Sequence, residues 1–351
     1  LNWISSHEFW FPSGTSKTDT QSRENFTFPQ TSDLWAVPAF AVLFHILRKL
    51  YEHYICTFLL SNLNIKSERR LPSSNAQLEA VYKTQKSPPD KMMTGLSKQL
   101  DMNVKQIEHW FRMRRNLDRP TVVTKFAESS WRFLFYFSIF TFGMFMLFKS
   151  PWLWDNVQCW TDYPQQSLPT WLYYYYMLEA GFYLSLLFTI AEDVKRKDFP
   201  IQVIHHVSTL FLIIFSYMCN FVRVGSLVLA VHDVSDIFLE FGKSILYANY
   251  KSLADNLFVI FAVVFIFTRL FIYPFYVIHT SAIKETRWQM KEPYAGYYFF
   301  NALLMVLQLL HIFWAAIIVK MAIRMVMVGK VEKDARSDVE EESENENENE
   351  P

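Results

Sequence analysis

The chain has 351 residues, of which 51% are hydrophobic and 18% are aromatic. Its 34 basic and 34 acidic residues give a formal net charge of zero, which argues against a general nucleic-acid-binding protein. The three cysteines, Cys56, Cys159 and Cys219, are too few for a disulfide framework, and no Cys/His spacing is typical of a zinc site.

The first predicted elements are a polar segment, residues 1–33, and an apolar helix within residues 34–60. Asn25 begins the only N-glycosylation sequon of the chain, Asn-Phe-Thr, which predicts a glycosylated lumenal segment. No cleavable signal-peptide pattern precedes the helix. We therefore expect it to act as a signal anchor with its N-terminus in the lumen.

We predict seven membrane-spanning helices, because seven runs supply roughly the 20 mostly apolar residues that a bilayer crossing requires. They are residues 34–54, 130–148, 171–191, 201–221, 222–241, 255–279 and 296–325. Almost no linker separates the fourth helix from the fifth, which predicts a tight helical hairpin. The expected fold class is an all-α polytopic membrane protein, with one N-terminal helix and a six-helix domain over residues 125–330.

The Lys/Arg bias of the loops predicts the orientation of these helices. Basic residues concentrate between the first two helices, in DVKRKDF before the fourth, and in residues 320–336 after the seventh. Seven crossings place all three segments on one side, which is therefore predicted to be the cytosol. Three basic residues in the 280–295 loop weigh mildly against this scheme. We expect a lumenal N-terminus and a cytosolic C-terminus.

Residues 66–124 interrupt the membrane pattern and predict a small cytosolic domain. Three short helices are expected at 75–84, 90–100 and 104–116, since SPPD supplies a breaker and a cap and Asn103 can cap the third. The apolar spacing suits a packed three-helix unit built on Leu78, Val81, Leu96, Leu100, Ile107, Trp110 and Phe111. The run VKQIEHWFRMRRN resembles the third helix of a homeodomain.

One position of this third helix argues against sequence-specific DNA binding. In homeodomains an Asn on the helix makes two hydrogen bonds to an adenine edge. Met113 stands at that place here and cannot form them. Arg112, Arg114 and Arg115 can contact phosphates of any kind, lipid headgroups included. We expect a packing or docking module rather than a reader of DNA sequence.

The predicted fourth and fifth membrane helices carry ionisable residues, which are costly in a bilayer and are candidate functional groups. The fourth has the adjacent pair His205 and His206, and the fifth has His232, Asp233 and Asp236. At about 1.5 Å per residue, the two sets lie at a matching depth of roughly 8–12 Å on antiparallel neighbours. We therefore expect the imidazoles and carboxylates to meet.

The residues alone leave three uses for such a cluster. A carboxylate can accept one imidazole N–H and leave the other nitrogen as a base or a nucleophile. A metal site is the second, although membrane di-iron enzymes need many more histidines than the nine present. A structural polar network is the third. We predict acid–base catalysis by the five residues, without a metal, and expect Arg269 to pair with a carboxylate or to line the substrate slot.

The stretch from His205 to Tyr247, which begins HHVST and contains VHDVSDIFLE, resembles the Lag motif of the ceramide synthases. DVKRKDF, PWLW at 151–154, the homeobox-like insert and the acidic tail after RSD resemble the same family. The resemblance covers essentially the whole chain and implies a TLC-type membrane domain in the endoplasmic reticulum. It implies transfer of a fatty acyl group from acyl-CoA to the amine of a sphingoid base, with an acyl-imidazole intermediate on His205.

The resemblance also implies the partners of the chain. Acyl-CoA is a co-substrate, and no cofactor is expected. Lys195, Arg196 and Lys197 are candidates for binding the CoA phosphates, or they mark topology alone. Membrane lipid is a further partner, and the oligomeric state stays open, with a homodimer or a heterodimer with another ceramide synthase as candidates. The alternative function is a lipid-binding or transport protein of TLC fold, which would not need the full His/Asp set.

Two further regions bear on specificity and regulation. In the family the lumenal loop before the last helix, here residues 279–295, helps to set acyl-chain length, but its composition does not indicate which length. The acidic tail, residues 331–351, is predicted to be a disordered cytosolic segment. Ser337 and Ser343 each have an acidic residue three positions later, a spacing that suits an acidophilic kinase.

Overall fold

The computed structural model describes residues 7–24, 26–63, 65, 71–190, 193–194, 198–284 and 294–328. Within these ranges the ordered elements are helical, and the one β pairing is an isolated bridge between Arg23 and Phe26. The three cysteines are buried, and none of them forms a disulfide within the described residues. The predicted all-α class is confirmed.

Helix α1, Thr31–Asn62, is the first long apolar helix. It opens with a 3₁₀ turn, where the Asp33 carboxylate accepts the Gln30 backbone N–H at 2.9 Å, and it contains a π-helical turn at Tyr51–Cys56. The same carboxylate accepts a 2.6 Å hydrogen bond from the Tyr217 hydroxyl. This bond fastens the start of α1 to the membrane bundle.

The predicted insert forms three helices: α2 (Ala76–Thr84), α3 (Asp90–Leu100) and α4 (Val104–Asp118). Asn75 and Asn103 cap α2 and α4, because each side-chain oxygen accepts backbone N–H groups of the first turn. The expected cap on α3 is wrong, since Asp90 is its first helical residue and no side chain caps it. An apolar core holds the three helices together: Leu78, Tyr82, Leu96, Ile107, Trp110 and Phe111.

Six further long helices form the membrane bundle: α5 (Val122–Leu147), α6 (Thr170–Thr189), α7 (Phe199–Met218), α8 (Val222–Tyr247), α9 (Lys251–Ala282) and α10 (Ala295–Val328). Together with α1, they place a helix at each of the seven predicted membrane crossings. The α7–α8 hairpin turns through Asn220 at φ 58°, a left-handed conformation that Asn tolerates. The second half of α9 is π-helical from Phe267 to Ile278, which is a geometry common at functional sites.

Five of the described helical runs are long and apolar enough to cross a membrane: α1, Val104–Leu147 with α5 inside it, α7, α9 and α10. Helices α6 and α8 are also 20 and 26 residues long, but a run of four tyrosines in α6 and charged residues along α8 make them more polar. Helix α8 packs against α5, α9, α7 and α6. Its polar side chains are therefore covered by neighbouring helices rather than by lipid, as the cost of burying charge in hydrocarbon requires.

Close helix contacts fix the position of α6 beside α1 and α7. A Cβ added at Gly181 would lie 2.5 Å from the Phe40 Cβ, so the two backbones approach where a small residue permits it. The Phe182 ring stacks on Phe135 of α5 with its centroid 3.4 Å away. These contacts hold the inward face of α6 against α8.

An ion network joins α1, α5 and the segment that follows α6. The Asp193 carboxylate forms ion pairs with two arginines: Oδ1 lies 2.8 Å from the Arg48 guanidinium, and Oδ2 lies 2.6 Å from that of Arg132. Arg132 also pairs with Glu128 at 2.9 Å, and the other oxygen of Glu128 accepts the Val194 backbone N–H at 3.0 Å. The network fixes the chain close to the start of α7, on which the histidine pair lies.

Candidate active site

The two groups of ionisable side chains face each other inside the bundle, where α7 passes α8. His205, His206 and His232 are 7%, 6% and 4% exposed, and Asp233 is fully buried. The ring centroids of His205 and His232 lie 6.4 Å apart, and the His206 ring lies 5.5 Å from the His205 ring. The side chains turn toward one another rather than toward lipid.

His232 is held in one orientation by hydrogen bonds at both ring nitrogens. Its Nδ1 lies 2.6 Å from the Val228 carbonyl oxygen, which can only accept, so Nδ1 carries the proton. Its Nε2 must then accept from the Nε2–H of His311 on α10, 2.9 Å away. No pattern in the sequence singles out His311, because a lone histidine in an apolar helix is typical of packing.

Asp236 pairs with Arg269, and this decides between the two expectations for that arginine. The guanidinium lies 2.8 Å from Asp236 Oδ1 and donates to the His232 carbonyl oxygen at 2.9 Å and to Ser235 Oγ at 3.0 Å. Arg269 lies in the π-helical half of α9 and is only 3% exposed. A buried cation with these three donor contacts fixes both the backbone and the carboxylate of α8 at this level.

Asp233 points away from Arg269, toward α6. Its Oδ2 accepts a 3.3 Å hydrogen bond from the Tyr175 hydroxyl, and its carboxyl group is within hydrogen-bonding reach of the Glu179 carboxyl. Glu179 is fully buried. No pattern in the sequence identified Glu179, since it is the single acidic residue in a long aromatic and aliphatic run.

The expected hydrogen bond between an imidazole and a carboxylate is wrong for the described residues. Asp236 pairs with Arg269 instead, because a fixed guanidinium binds a carboxylate more strongly than a neutral imidazole does. The Nδ1 atoms of His205 and His206 have no hydrogen-bond partner among the described residues. The ring of His205 is positioned instead by an edge contact with Trp314, at 5.2 Å between centroids.

An apolar cavity of about 50 Å³ extends from His232 between α6, α7, α8 and α10. His232, Tyr183 and Thr209 line it beside the cluster, and Phe221 and Phe300 line it near the α7–α8 turn. At about 1.5 Å per residue, the ten residues from Val222 to His232 span roughly 15 Å along α8. The cavity is therefore long and apolar, with polar groups at one end, which suits a hydrocarbon chain with a reactive head.

Several predicted sites lie outside the described residues. They are the basic run Lys195, Arg196 and Lys197, the sequon residue Asn25, and the serines Ser337 and Ser343 of the tail. Most of the lumenal loop that is expected to set acyl-chain length, residues 285–293, also lies outside them. Their predicted roles in binding, modification and selectivity stay predictions.

Family comparisons match both parts of the chain. The TLC domain family matches residues 125–320, and the homeodomain family matches residues 68–119. Ceramide synthase 5 of Homo sapiens is 44% identical over 341 residues, which are 96% of this chain and 86% of that protein. Ceramide synthase 4 of Homo sapiens is 42% identical over 97% of this chain and 86% of that protein, and ceramide synthase 3 of Homo sapiens is 37% identical over 97% and 88%.

Proposed function

The chain belongs to the ceramide synthase family, and from this premise we propose that His205, His206, His232, Asp233 and Asp236 are its catalytic residues. The reaction is the transfer of a fatty acyl group from acyl-CoA to the amine of a sphingoid base, giving (dihydro)ceramide. The observation that carries this assignment is the set of buried imidazoles and carboxyl groups where α7 passes α8, of which His232 lines one end of an apolar cavity. A carrier of TLC fold has no use for that cluster, so the alternative function is not favoured.

His205 is the proposed acyl carrier. Its Nδ1 has no hydrogen-bond partner among the described residues, and the ring edge is fixed by Trp314. The imidazole nitrogen attacks the thioester carbonyl, a C–N bond forms, the C–S bond breaks, and CoA leaves as a thiolate that takes up a proton. The amine of the second substrate then attacks the acyl carbon, and the bond to imidazole breaks.

The other residues of the cluster support this transfer. His206 lies next to His205 and offers a second imidazole nitrogen for proton transfer. His232 is fixed between Val228 and His311, so we assign it to positioning the wall of the site and to a proton path through its ring. The Asp233 carboxylate of α8 favours a positive charge as it develops on imidazole, because the site is buried from water, whereas Arg269 balances the charge of Asp236 and fixes its position.

A thioester is already an activated acyl donor, so we propose that acyl-CoA is the co-substrate and that the reaction needs no cofactor. The apolar cavity is the proposed slot for the acyl chain, while CoA remains in water at the cytosolic face. Lys195, Arg196 and Lys197 are the proposed contacts of its phosphates, since they precede α7 in sequence. The ion network around Asp193 supports this, because it anchors the chain just before that run.

We place the protein in the endoplasmic-reticulum membrane with its N-terminus in the lumen and its C-terminus in the cytosol. The Lys/Arg distribution supports this orientation, and glycosylation at Asn25 and phosphorylation at Ser337 and Ser343 would fit it. For the insert we propose no sequence-specific DNA binding. Arg114, a candidate phosphate contact, is occupied by Glu79 at 2.9 Å and Asp118 at 2.8 Å.

The test of the proposed function is a direct assay. Purified protein is incubated with sphinganine and with short-chain or long-chain acyl-CoA, and (dihydro)ceramide and free CoA are measured together. Incubation with acyl-CoA alone, followed by peptide mass spectrometry, is expected to show one acyl chain on the peptide that carries His205. Absence of product with every acyl-CoA contradicts the proposed function. Product without an acylated peptide contradicts only the proposed covalent intermediate on His205.

A further inference from the structure

Four acidic side chains inside the bundle are paired with a cation of the protein. Asp236 forms an ion pair with Arg269 at 2.8 Å, and Glu240 forms one with Lys243 at 2.6 Å. Arg132 pairs with Glu128 at 2.9 Å and with Asp193 at 2.6 Å. Such pairing is the rule for buried charges, because an unpaired charge in a low-dielectric interior is strongly disfavoured. Any buried acid that departs from this rule needs its own explanation.

Glu179 and Asp233 depart from it. Both are fully buried, and no Lys or Arg of the described residues lies within ion-pair distance of either. Apart from their contact with each other, both oxygens of Glu179 and Oδ1 of Asp233 receive no hydrogen bond within those residues. Apart from that mutual contact, the Tyr175 hydroxyl, at 3.3 Å, is the one donor to the pair among the described residues. The pair therefore has acceptor oxygens in surplus and lacks a cation.

The helical neighbours of the pair line the substrate cavity. Glu179 lies three residues after Tyr176 and four before Tyr183 on α6, so the three share one helical face, and both tyrosines line the cavity. Asp233 lies four residues after Leu229 and next to His232, which also line it. The acidic pair thus lies behind the cavity wall, within one helical turn of residues that line it and next to His232.

We propose that the Glu179–Asp233 carboxyl pair binds the protonated amine of the long-chain base and takes up its proton. This rests on the proposed function, which supplies an amine as the acyl acceptor. An ammonium group brings the missing positive charge and N–H donors for the vacant oxygens. The groups facing the pair are Tyr175, Tyr183, Asp236 and, beyond Asp236, Arg269.

The chemistry of the step balances. An ammonium has no free electron pair, so one of its protons first passes to a carboxylate of the pair, leaving a neutral amine. The nitrogen lone pair then forms the C–N bond with the acyl carbon, and the bond from that carbon to imidazole nitrogen breaks. The second nitrogen proton returns to the imidazole released by that cleavage. Glu179 is therefore a catalytic residue that the Lag motif does not contain.

The first experiment uses the wild-type enzyme and two unreactive analogues of sphinganine with the same shape. In one the amine is replaced by a dimethylamino group, which is protonated at neutral pH, and in the other by an isopropyl group, which carries no charge. We expect the cationic analogue to inhibit N-acylation at least about tenfold more strongly, since it alone can satisfy the acidic pair. Equal inhibition by the two analogues overturns the proposal.

The second experiment separates the amine from acyl-CoA. In Glu179→Gln, kcat/KM for sphinganine is expected to fall by roughly 100-fold or more, the usual effect of removing a general base. KM for acyl-CoA should stay within about threefold, and the preference for the cationic analogue should disappear. Ser185→Ala, a polar deletion at a buried site on the same helix, is the control and should behave as wild type.

These results distinguish the inference from the function on which it rests. A wild-type enzyme that makes no N-acylated product contradicts the proposed function itself. A productive wild-type enzyme whose Glu179→Gln variant keeps its sphinganine kinetics within threefold contradicts only the amine site. If Glu179→Gln does not fold, the comparison of the two analogues as inhibitors of the wild-type enzyme still tests the amine site.

Discussion

The homeobox-like insert and the membrane bundle use polar side chains in opposite ways. In the insert the core is apolar and aromatic, and Arg114 forms ion pairs with Glu79 and Asp118 at the surface. In the bundle, imidazoles and carboxyl groups are buried and several of their atoms receive no partner among the described residues. Charges that pair locally stabilise a fold, whereas buried polar groups left open are available to a substrate.

The comparison is tested most strongly by removing one histidine from each region. His205→Ala is expected to lower N-acylation by at least about 10³-fold, because the proposed acyl carrier is lost. The fold should persist, since the ring makes no hydrogen bond at Nδ1 and packs chiefly on Trp314. His109→Ala removes an exposed histidine of α4 and should leave the rate unchanged.

Ceramide formation by both proteins is followed with the same acyl-CoA, and folding is followed by thermal unfolding in detergent. Retention of activity in His205→Ala would remove the acyl-carrier role. A matching loss in His109→Ala would mean that the insert takes part in catalysis and would break the contrast between the two regions.

Local patterns were enough to predict the insert and the helices of the bundle. Asn103 and the apolar spacing define α4, which was expected at 104–116 and is observed as Val104–Asp118. The short α7–α8 connection and the rise per residue placed the histidine pair of α7 level with Asp233 and Asp236 of α8, and the His205 ring lies beside that of the neighbouring His232. These features depend on neighbours in the sequence, so the sequence reports them directly.

These local patterns could not predict which side chains pair between helices that are distant in the sequence. Arg269 meets Asp236 at a sequence separation of 33, and only the packing of α9 on α8 decides that pairing. Glu179 and His311 stand alone in apolar runs, where a single polar residue has no periodicity to reveal its partner. The expected imidazole–carboxylate bond was wrong for the same reason: the competing guanidinium comes from a distant helix.

An Arg–carboxylate pair occurs in both regions, and the second prediction compares the two. The bundle pair, Arg269 and Asp236, is 3% and 15% exposed at the side chains, whereas the insert pair, Arg114 and Glu79, is 23% and 34% exposed. Asp236→Ala leaves a buried guanidinium without its partner and should destabilise the bundle by about 3–5 kcal/mol. Glu79→Ala should be close to neutral, because water replaces the lost contact.

The matched control for the bundle is the double variant Asp236→Leu with Arg269→Met. Replacing both charges by apolar side chains should recover most of the lost stability, while N-acylation stays low because the proposed catalytic carboxylate is gone. Thermal unfolding and the ceramide assay measure the two properties separately. A stable, fully active double variant would show that the pair serves structure alone.

The third prediction concerns the apolar cavity of the bundle. Gly225 stands directly against the Tyr176 hydroxyl, where an added Cβ would overlap it, and both residues line the cavity. Gly225→Ala should cost about 1–3 kcal/mol as Tyr176 is displaced. The displaced ring narrows the slot, so the ratio of rates for long over short acyl-CoA should fall.

The control is Gly95→Ala on α3, where an added Cβ meets nothing within 4 Å. That variant should keep both stability and the ratio of rates. An unchanged ratio in Gly225→Ala, with Tyr176 displaced as judged by lower stability, would mean that the acyl chain does not reach this part of the cavity.

The smallest expected effect is a response of the insert to acid. Hydrogen bonds from Arg114 hold the pKa of the Glu79 carboxyl below its ordinary value of 4.5. Because the folded-state pKa is the lower one, the contribution of Glu79 to stability is complete above about pH 4.5 and is lost as the pH falls through the folded-state pKa. Amide hydrogen exchange of α2 in the full chain, corrected for the intrinsic effect of pH, should show a slight loss of protection over this range.

Glu79→Gln should remove that response, since an amide does not titrate. An equal response in Glu79→Gln would assign it to another group. Screening by water keeps the effect small, and this separates the surface pair of the insert from the buried pair of the bundle.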